Sequence, residues 1–138
     1  MTIEVDRSAL SGNIAVFRRL VGPSTRLLAV VKADAYGHGL LLAAQAFLAG
    51  GADMLGIHSV AEAALLRDGG VRAPILVLGP STRDEACAAA EIAVEITLAS
   101  VPACQAAVDC GSPLKVHLKV ETGVNRQGLV EQEIAPAL

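Results

Sequence analysis

The sequence predicts an α/β protein in which parallel strands alternate with helices. Apolar segments begin near positions 27, 53, 74, 93 and 114, and a segment with helical spacing separates each from the next. Such alternation is typical of consecutive right-handed βαβ units. Apolar residues make up 53% of the chain and aromatic residues only 2%. The core must therefore consist of Leu, Val, Ile and Ala, which suits parallel strands covered by helices.

The first part of the chain predicts two strands and two helices. Residues 3–5 predict a short strand, and Asp6 can cap a helix with apolar residues at three- and four-residue spacing. Five consecutive apolar residues at 27–31 predict a strand that is buried on both faces. The segment 40–49 predicts a helix that is apolar nearly all round, which must be buried broadly or lie at an interface.

The second part repeats a strand followed by a helix. Four further strands are predicted, at 54–57, 75–78, 94–98 and 114–120. Two of the helices between them begin with a capping box, in which a hydroxyl residue and a glutamate three positions later cap the helix together. The two boxes pair Ser59 with Glu62 and Thr82 with Glu85.

Two architectures fit this pattern, an open doubly wound sheet and a (β/α) barrel. The open sheet usually has a G-x-G-x-x-G turn, which this sequence lacks. A barrel needs eight βα units, and the chain supplies about five. If the chain forms a barrel, it is a partial (β/α)8 TIM-like barrel that is incomplete at the C-terminus and ends in a strand with an unpaired edge.

Composition and charge limit the partners. The net charge is −3 and the basic residues are scattered, which gives no footprint for nucleic acid. The apolar stretch 39–52 is shorter than the roughly 18 to 20 residues of a membrane span, and the N-terminus has no secretory pattern. Cys87, Cys104 and Cys110 match no metal spacing and are expected to be reduced thiols in a cytoplasmic protein. We expect a small-molecule partner and no metal.

Lys32 lies where the strand at 27–31 meets a turn of small residues. Reactive groups collect at the carboxyl ends of strands in α/β proteins. Lys32 is either a lysine that extends to solvent or a desolvated lysine whose neutral amine attacks a carbonyl. Tyr36 is either a phosphate ligand or a half-buried turn residue. His38 and His58 fit ordinary turn and strand-end positions, because no metal spacing links them.

The last strand and the loop after it carry the other basic residues. Alternation places Lys115, His117 and Lys119 on one face, while the apolar face should meet the helices. The basic face then either binds an anionic ligand or pairs with inward carboxylates. Arg126 follows in a glycine-punctuated loop, where it is either a surface residue or a ligand for carboxylate or phosphate.

Three segments resemble one known family. VVKADAYGHG, at 30–39, closely resembles the pyridoxal-phosphate attachment motif of bacterial alanine racemases, whose usual form is VVKANAYGHG. APILVLGP at 73–80 and HLKVETGVNRQG at 117–128 resemble the same family in its order and spacing. The resemblance covers essentially the whole chain. It departs at Asp34, where the family usually has Asn, and at Glu121, where Asp is common.

The resemblance implies that residues 1–138 are the N-terminal portion of an alanine racemase barrel domain, in a cytoplasmic homodimer. The implied activity is pyridoxal 5′-phosphate-dependent interconversion of L- and D-alanine by proton abstraction at the α-carbon, which supplies D-alanine for peptidoglycan. Lys32 would hold the cofactor and act as the catalytic base, and Tyr36 would bind its phosphate. Arg126 would contact cofactor and substrate carboxylate, and Lys119 resembles a lysine that many members carbamylate to orient this arginine.

The resemblance also implies what these residues do not contain. The family's second base is a tyrosine from the C-terminal domain of the partner subunit, whereas Tyr36 is the only tyrosine here. We therefore expect these 138 residues alone to be inactive. Two alternatives stay open: another fold-type-III pyridoxal-phosphate racemase, for serine or a broader set of amino acids, and a truncated product without catalysis.

Overall fold

The computed structural model describes residues 3–138, in which five parallel strands alternate with helices. The strands are β1 (Leu28–Val30), β2 (Met54–Ile57), β3 (Ile75–Val77), β4 (Glu95–Leu98) and β5 (Val116–Leu118). The helices are α1 (Arg7–Val21), α2 (Lys32–Gly37), α3 (Leu40–Ala49), α4 (Val60–Asp68), α5 (Arg83–Glu91), α6 (Val101–Asp109) and α7 (Glu131–Ala137).

The strands pair in the order in which they occur in the chain. The sheet runs β1-β2-β3-β4-β5, and all four neighbouring pairs are parallel. A doubly wound sheet would reverse its strand order partway across, whereas a barrel adds each new strand on the same side. The predicted α/β fold with about five barrel-type units is confirmed.

One face of the sheet is buried under the helices, whereas the opposite face is buried in the middle strands and partly exposed at the edge strands. The face toward the helices carries residues with almost no exposed surface, among them Leu55, Ile57, Ile75, Val77 and Ile96. On the opposite face Val30 is 37% exposed. The prediction that the first apolar strand is buried on both faces is therefore wrong. Within residues 3–138, the inner side of β1 is only partly covered at Val30.

The amino end of the chain differs from its prediction in one element. Residues 3–5 form no strand, and Ile3 is 72% exposed. The reason is that no strand of the described sheet pairs with this segment. The predicted cap is confirmed, since the Asp6 carboxylate accepts hydrogen bonds from the backbone N–H groups of Ser8 (2.8 Å) and Ala9 (3.2 Å). Bonds from Ser8 and Ala9 also lower the pKa of Asp6, the Ser8 hydroxyl most strongly.

Both predicted capping boxes are present. The Ser59 hydroxyl accepts from the Glu62 N–H at 3.3 Å, and the Thr82 hydroxyl accepts from the Glu85 N–H at 3.3 Å. The apolar helix α3 packs on α1 at very close range. A Cβ added at Gly50 would lie 2.4 Å from the Ser11 carbonyl oxygen, so only glycine permits this approach.

Two arginines bind the loops at the amino end of the sheet. The Arg18 guanidinium donates to the carbonyl oxygens of Gly22 (3.0 Å), Thr25 (2.6 Å) and Gly51 (3.1 and 3.0 Å) and pairs with Asp53. All five of its N–H donors therefore have acceptors. This network ties the end of α1 to the segments that lead into β1 and β2.

Arg67 likewise binds loop segments, at the next two strands of the sheet. It donates to the carbonyl oxygens of Val71 (3.0 Å), Ala73 (2.9 Å), Ile92 (3.0 Å) and Ala93 (2.9 Å). These bonds join the end of α4 to the segments that precede β3 and β4. Burial is the main cause that lowers the pKa of Arg67, which is the expected direction for a desolvated cation.

Two adjacent leucines of α4 can test which face of this helix packs against the core. Leu66 is fully buried and Leu65 is 62% exposed. We expect Leu66→Ala to lower the free energy of unfolding by about 3 kcal/mol, because it removes buried methyl groups and leaves a cavity. Leu65→Ala should change it by less than about 0.5 kcal/mol. Urea unfolding of both variants measures the difference, and equal losses would contradict the described packing.

Candidate active site

Lys32 lies directly after β1, at the carboxyl edge of the sheet. The preceding Val31 is fully buried, and its N–H still donates to the Gly56 carbonyl oxygen at 2.8 Å. Lys32 itself is half-buried. No carboxylate within residues 3–138 forms an ion pair with its amine. The structure thus places Lys32 at the strand end, where the sequence predicts it, and leaves its amine available to a ligand.

The turn after Lys32 is left-handed, which the sequence did not predict. Four consecutive residues, Ala33, Asp34, Ala35 and Tyr36, have φ between 52° and 56° and ψ between 34° and 54°. For L-residues this conformation costs roughly 1–2 kcal/mol each, so it persists only where other contacts determine it. The segment labelled α2 is therefore mainly one left-handed turn.

Several hydrogen bonds stabilise this turn from within. The Ala35 N–H donates to the Val31 carbonyl oxygen at 2.8 Å, and His38 Nδ1 lies 2.8 Å from the Ala35 carbonyl oxygen. A carboxylate oxygen of Asp34 accepts from the Leu40 N–H at 2.6 Å, at the start of α3. A negative charge is favourable at a helix N-terminus, which explains why Asp serves at the position where the resembled motif usually has Asn.

One contact comes from outside the turn. Glu62 Oε1 accepts from the Ala33 N–H at 2.7 Å, while Oε2 accepts from the N–H groups of His58 (2.6 Å) and Ser59 (3.4 Å). The sequence pattern predicts only a capping role for Glu62. The available signal was topological, because neighbouring parallel strands end side by side and β2 ends just before this box.

Tyr36 is in the same turn as Lys32. Its side chain is 65% exposed, and its hydroxyl forms no hydrogen bond with any part of the chain between residues 3 and 138. The structure thus brings Lys32 and Tyr36 together in one short segment. Neither side chain forms a hydrogen bond or an ion pair with the described residues.

On the inner face of β5, one basic residue is paired. His117 Nε2 lies 2.7 Å from Glu95 Oε2, on the neighbouring strand. For His117, the structure therefore supports the alternative of pairing with an inward carboxylate. Lys115 and Lys119 pair with no carboxylate in the described chain. On the other face Leu118 lies beside the buried Leu98, as the alternation predicts.

Lys119 and Arg126 line the same small cavity, of about 110 Å³. Arg126 is exposed and Lys119 is half-buried. The loop that carries Arg126 is closed at its base, because the Leu129 N–H donates to the Lys119 carbonyl oxygen (2.7 Å) and the Glu121 N–H donates to that of Leu129 (2.9 Å). The predicted neighbourhood of the lysine and the arginine is thus present at the carboxyl end of β5.

Glu121 organises the interior of that loop. Its carboxylate accepts from the Gly123 N–H at 2.5 Å. Hydrogen bonds from backbone N–H groups, that of Asn125 first, hold the pKa of Glu121 below its ordinary value. At the far end of the loop Gly128 has φ +147°, and an added Cβ would lie 2.6 Å from the Glu121 nitrogen. Glycine is therefore required where the loop folds back on itself.

The pair Lys32 and Tyr36 and the pair Lys119 and Arg126 lie at the same end of the sheet, but at opposite edges of it. Lys32 follows β1, Arg126 follows β5, and these strands are the two edges of the sheet. Four strand spacings of about 4.8 Å separate the edges by roughly 19 Å along the sheet. In a closed barrel such strand ends face each other across one opening.

Other parts of the described chain add no further chemistry to this end. A larger cavity, of about 730 Å³, lies at the amino end of the sheet beside Arg67 and Lys115. It is lined by none of the four candidate site residues, Lys32, Tyr36, Lys119 and Arg126. Residues 3–138 hold no group of three His, Cys, Asp or Glu side chains that could bind a metal ion. No helix in the same range has the length and apolar character needed to cross a membrane.

Comparison with known proteins gives one consistent match. The family model described as alanine racemase, N-terminal domain, matches residues 5–138. An alanine racemase of Synechocystis is 45% identical over 131 residues, which are 91% of this chain and 35% of that protein. The chain therefore spans about a third of the length of the curated relatives that it matches.

Solved structures match equally well. The alanine racemase of Bacillus anthracis with bound L-Ala-P superposes with a TM-score of 0.91 at 34% identity, over 96% of this chain and 36% of that one. A histidine racemase of Leuconostoc mesenteroides gives a TM-score of 0.86 at 33% identity, over 95% and 36%.

The Glu121 loop should respond to acid. The pKa of Glu121 lies below the ordinary value of 4.5. The hydrogen bonds to its carboxylate therefore stabilise the loop fully above pH 4.5 and are lost as the pH falls through the lowered pKa. We expect amide exchange at 123–126, corrected for its intrinsic pH dependence, to accelerate only in that acid range. Glu121→Gln should accelerate it already at neutral pH. Glu131→Gln, at an exposed residue, is the control, and equal behaviour of the two variants would contradict this role.

Proposed function

The chain belongs to the alanine racemase family, through its N-terminal domain, and from this premise we propose that the protein interconverts L- and D-alanine with pyridoxal 5′-phosphate. The observation that carries the proposal is Lys32, which follows β1 within the family's motif and has no ion-pair partner in residues 3–138. The whole activity is a proposal, because the chain spans about a third of its relatives' length.

The residues at β1 fit the cofactor. A half-buried amine without a carboxylate partner can bond an aldehyde carbon, and the exposed hydroxyl of Tyr36 can donate to a phosphate oxygen. In this proposal Lys32 first holds the cofactor and then takes or returns the α-proton of alanine at its Nζ atom. When bound, the cofactor supplies a conjugated ring that delocalises the negative charge left at the α-carbon.

The residues at β5 fit the substrate side. Arg126 is proposed to contact the cofactor and the substrate carboxylate, because its planar guanidinium donates two parallel hydrogen bonds. Lys119 lines the same cavity, where two cations would repel each other. Addition of carbon dioxide to the neutral amine of Lys119, with loss of one proton to solvent, would form a carbamate anion that pairs with Arg126, and we include this modification in the proposal.

The substrate and the assembly are also proposals. The similarity to a histidine racemase, at 33% identity, supports a second candidate, a racemase of this family for another amino acid. Assays with alanine, serine and histidine distinguish the two. The homodimer and the cytoplasmic location are taken from the same family premise, and mass measurement in solution and localisation of the tagged protein test them.

Labelling of Lys32 is the central test. The sequence has three lysines, Lys32, Lys115 and Lys119, so peptide mapping can separate them. After incubation of the full-length protein with the cofactor and reduction with borohydride, we expect the label on Lys32. Lys32→Ala should remove it and lower kcat about a thousandfold, within the range that positioned proton transfer contributes.

Lys115→Ala is the matched control, since Lys115 lies at the amino end of β5, away from the proposed site. It should keep both the label and the activity. Labelling of Lys115 or Lys119 instead of Lys32 would refute the assignment. Labelling of Lys32 without racemisation of any amino acid in the panel would show a cofactor site but reject the proposed reaction.

A further inference from the structure

Glu62 connects the turn after Lys32 to the end of the next strand. One carboxylate oxygen accepts from the Ala33 N–H at 2.7 Å, and the other accepts from the His58 N–H at 2.6 Å. We propose that Glu62 is a positioning residue for Lys32, which holds the lysine backbone in the orientation that presents its amine to the cofactor. This inference rests on the proposed function.

The geometry of the peptide bond gives the physical reason. The peptide unit between Lys32 and Ala33 is planar and includes the Cα atom from which the lysine side chain departs. When the N–H of this unit is bound to Glu62, the direction of the whole plane is fixed. Ala33 is also the first left-handed residue of the turn, so the same bond stabilises the point where the chain changes hand.

The residues of the turn supply no hydrogen-bond acceptor for the Ala33 N–H within the described chain. Asp34, Ala35 and His38 are held by bonds within the segment from Val31 to Leu40. In the described chain, the bond that holds the Ala33 N–H comes from Glu62 alone. Ala33 is exposed, so without Glu62 its N–H would turn to water and the left-handed conformation would lose its external constraint.

A glutamate is suited to this task by its length and its charge. Its two oxygens accept from two adjacent strand ends at once, and bonds from N–H groups to a carboxylate are stronger than those to a neutral acceptor. Glutamine offers a single acceptor oxygen and would turn an NH2 group toward the second N–H. The glutamate is itself anchored in the first turn of α4 by the Ser59 hydroxyl.

The chain contains a matched control for the ordinary capping role. Glu85 occupies the same position in the capping box of α5, where it accepts from the Thr82 N–H at 2.8 Å and, within residues 3–138, forms no hydrogen bond or ion pair with another segment. In the Glu62 box the capping bond from Ser59 is longer, at 3.4 Å, than the bonds from His58 and Ala33. The stronger contacts of Glu62 are therefore those that join the two strand ends.

The experiment compares Glu62→Ala, Glu62→Gln and Glu85→Ala in the full-length protein. Both alanine variants lose a helix cap, and Glu62→Ala also loses the bonds from Ala33 and His58, so its thermal stability should fall at least as much as that of Glu85→Ala. In the cofactor-free protein, only Glu62→Ala should lose amide-exchange protection at Ala33. In titrations with pyridoxal 5′-phosphate followed by visible absorbance, it should bind about tenfold or more weakly, because the amine is misplaced. Glu62→Gln should be intermediate, and Glu85→Ala should match the wild type.

Three results would overturn the inference. Equal Ala33 exchange in Glu62→Ala and Glu85→Ala would show that Glu62 is only a helix cap. Unchanged cofactor affinity in Glu62→Ala, with a wild type that reacts at Lys32, would reject the positioning role while leaving the proposed function intact. A wild type that does not react with the cofactor at Lys32 would instead reject the proposed function, and the positioning role with it.

Discussion

The burial of one sheet face under the helices is the constraint on which the rest of the structure depends. Residues such as Leu55, Val77 and Ile96 are completely buried on this side and fix which side chains of every strand point outward. The alternate residues, including Glu95 and His117, must then lie on the inner face, where they pair with each other. Because all strands are parallel, their carboxyl ends share one edge, and the groups that follow them collect there.

The order of helices and strands could be predicted because it depends on local patterns. The capping boxes at Ser59 and Thr82 marked helix starts correctly, since the cap is made within one turn of the chain. Predictions failed where the outcome depended on partners distant in sequence. Within residues 3–138, no strand pairs with the segment 3–5, and an apolar run cannot show that the inner side of Val30 is only partly covered.

The site was less predictable than the fold. From the residues alone, Lys32 and Arg126 remained ambiguous, and only the resemblance to a family gave them roles. The left-handed turn has no sequence signal, because alanine and tyrosine do not favour positive φ and the strain is offset by contacts elsewhere. The long-range contact of Glu62 was hidden for a different reason: the capping box already explained why a glutamate stands there.

Three carboxylates at the carboxyl edge show why the cations there remain available. Asp34, Glu62 and Glu121 all accept hydrogen bonds from backbone N–H groups, and in doing so they shape the turns next to Lys32 and Arg126. None of them forms an ion pair with either cation within residues 3–138. Had these acids paired with the cations, a ligand would have to break a salt bridge before binding. Because these carboxylates accept from backbone N–H groups instead, the side chains of Lys32 and Arg126 remain free to bind an anionic group such as a phosphate or a carboxylate.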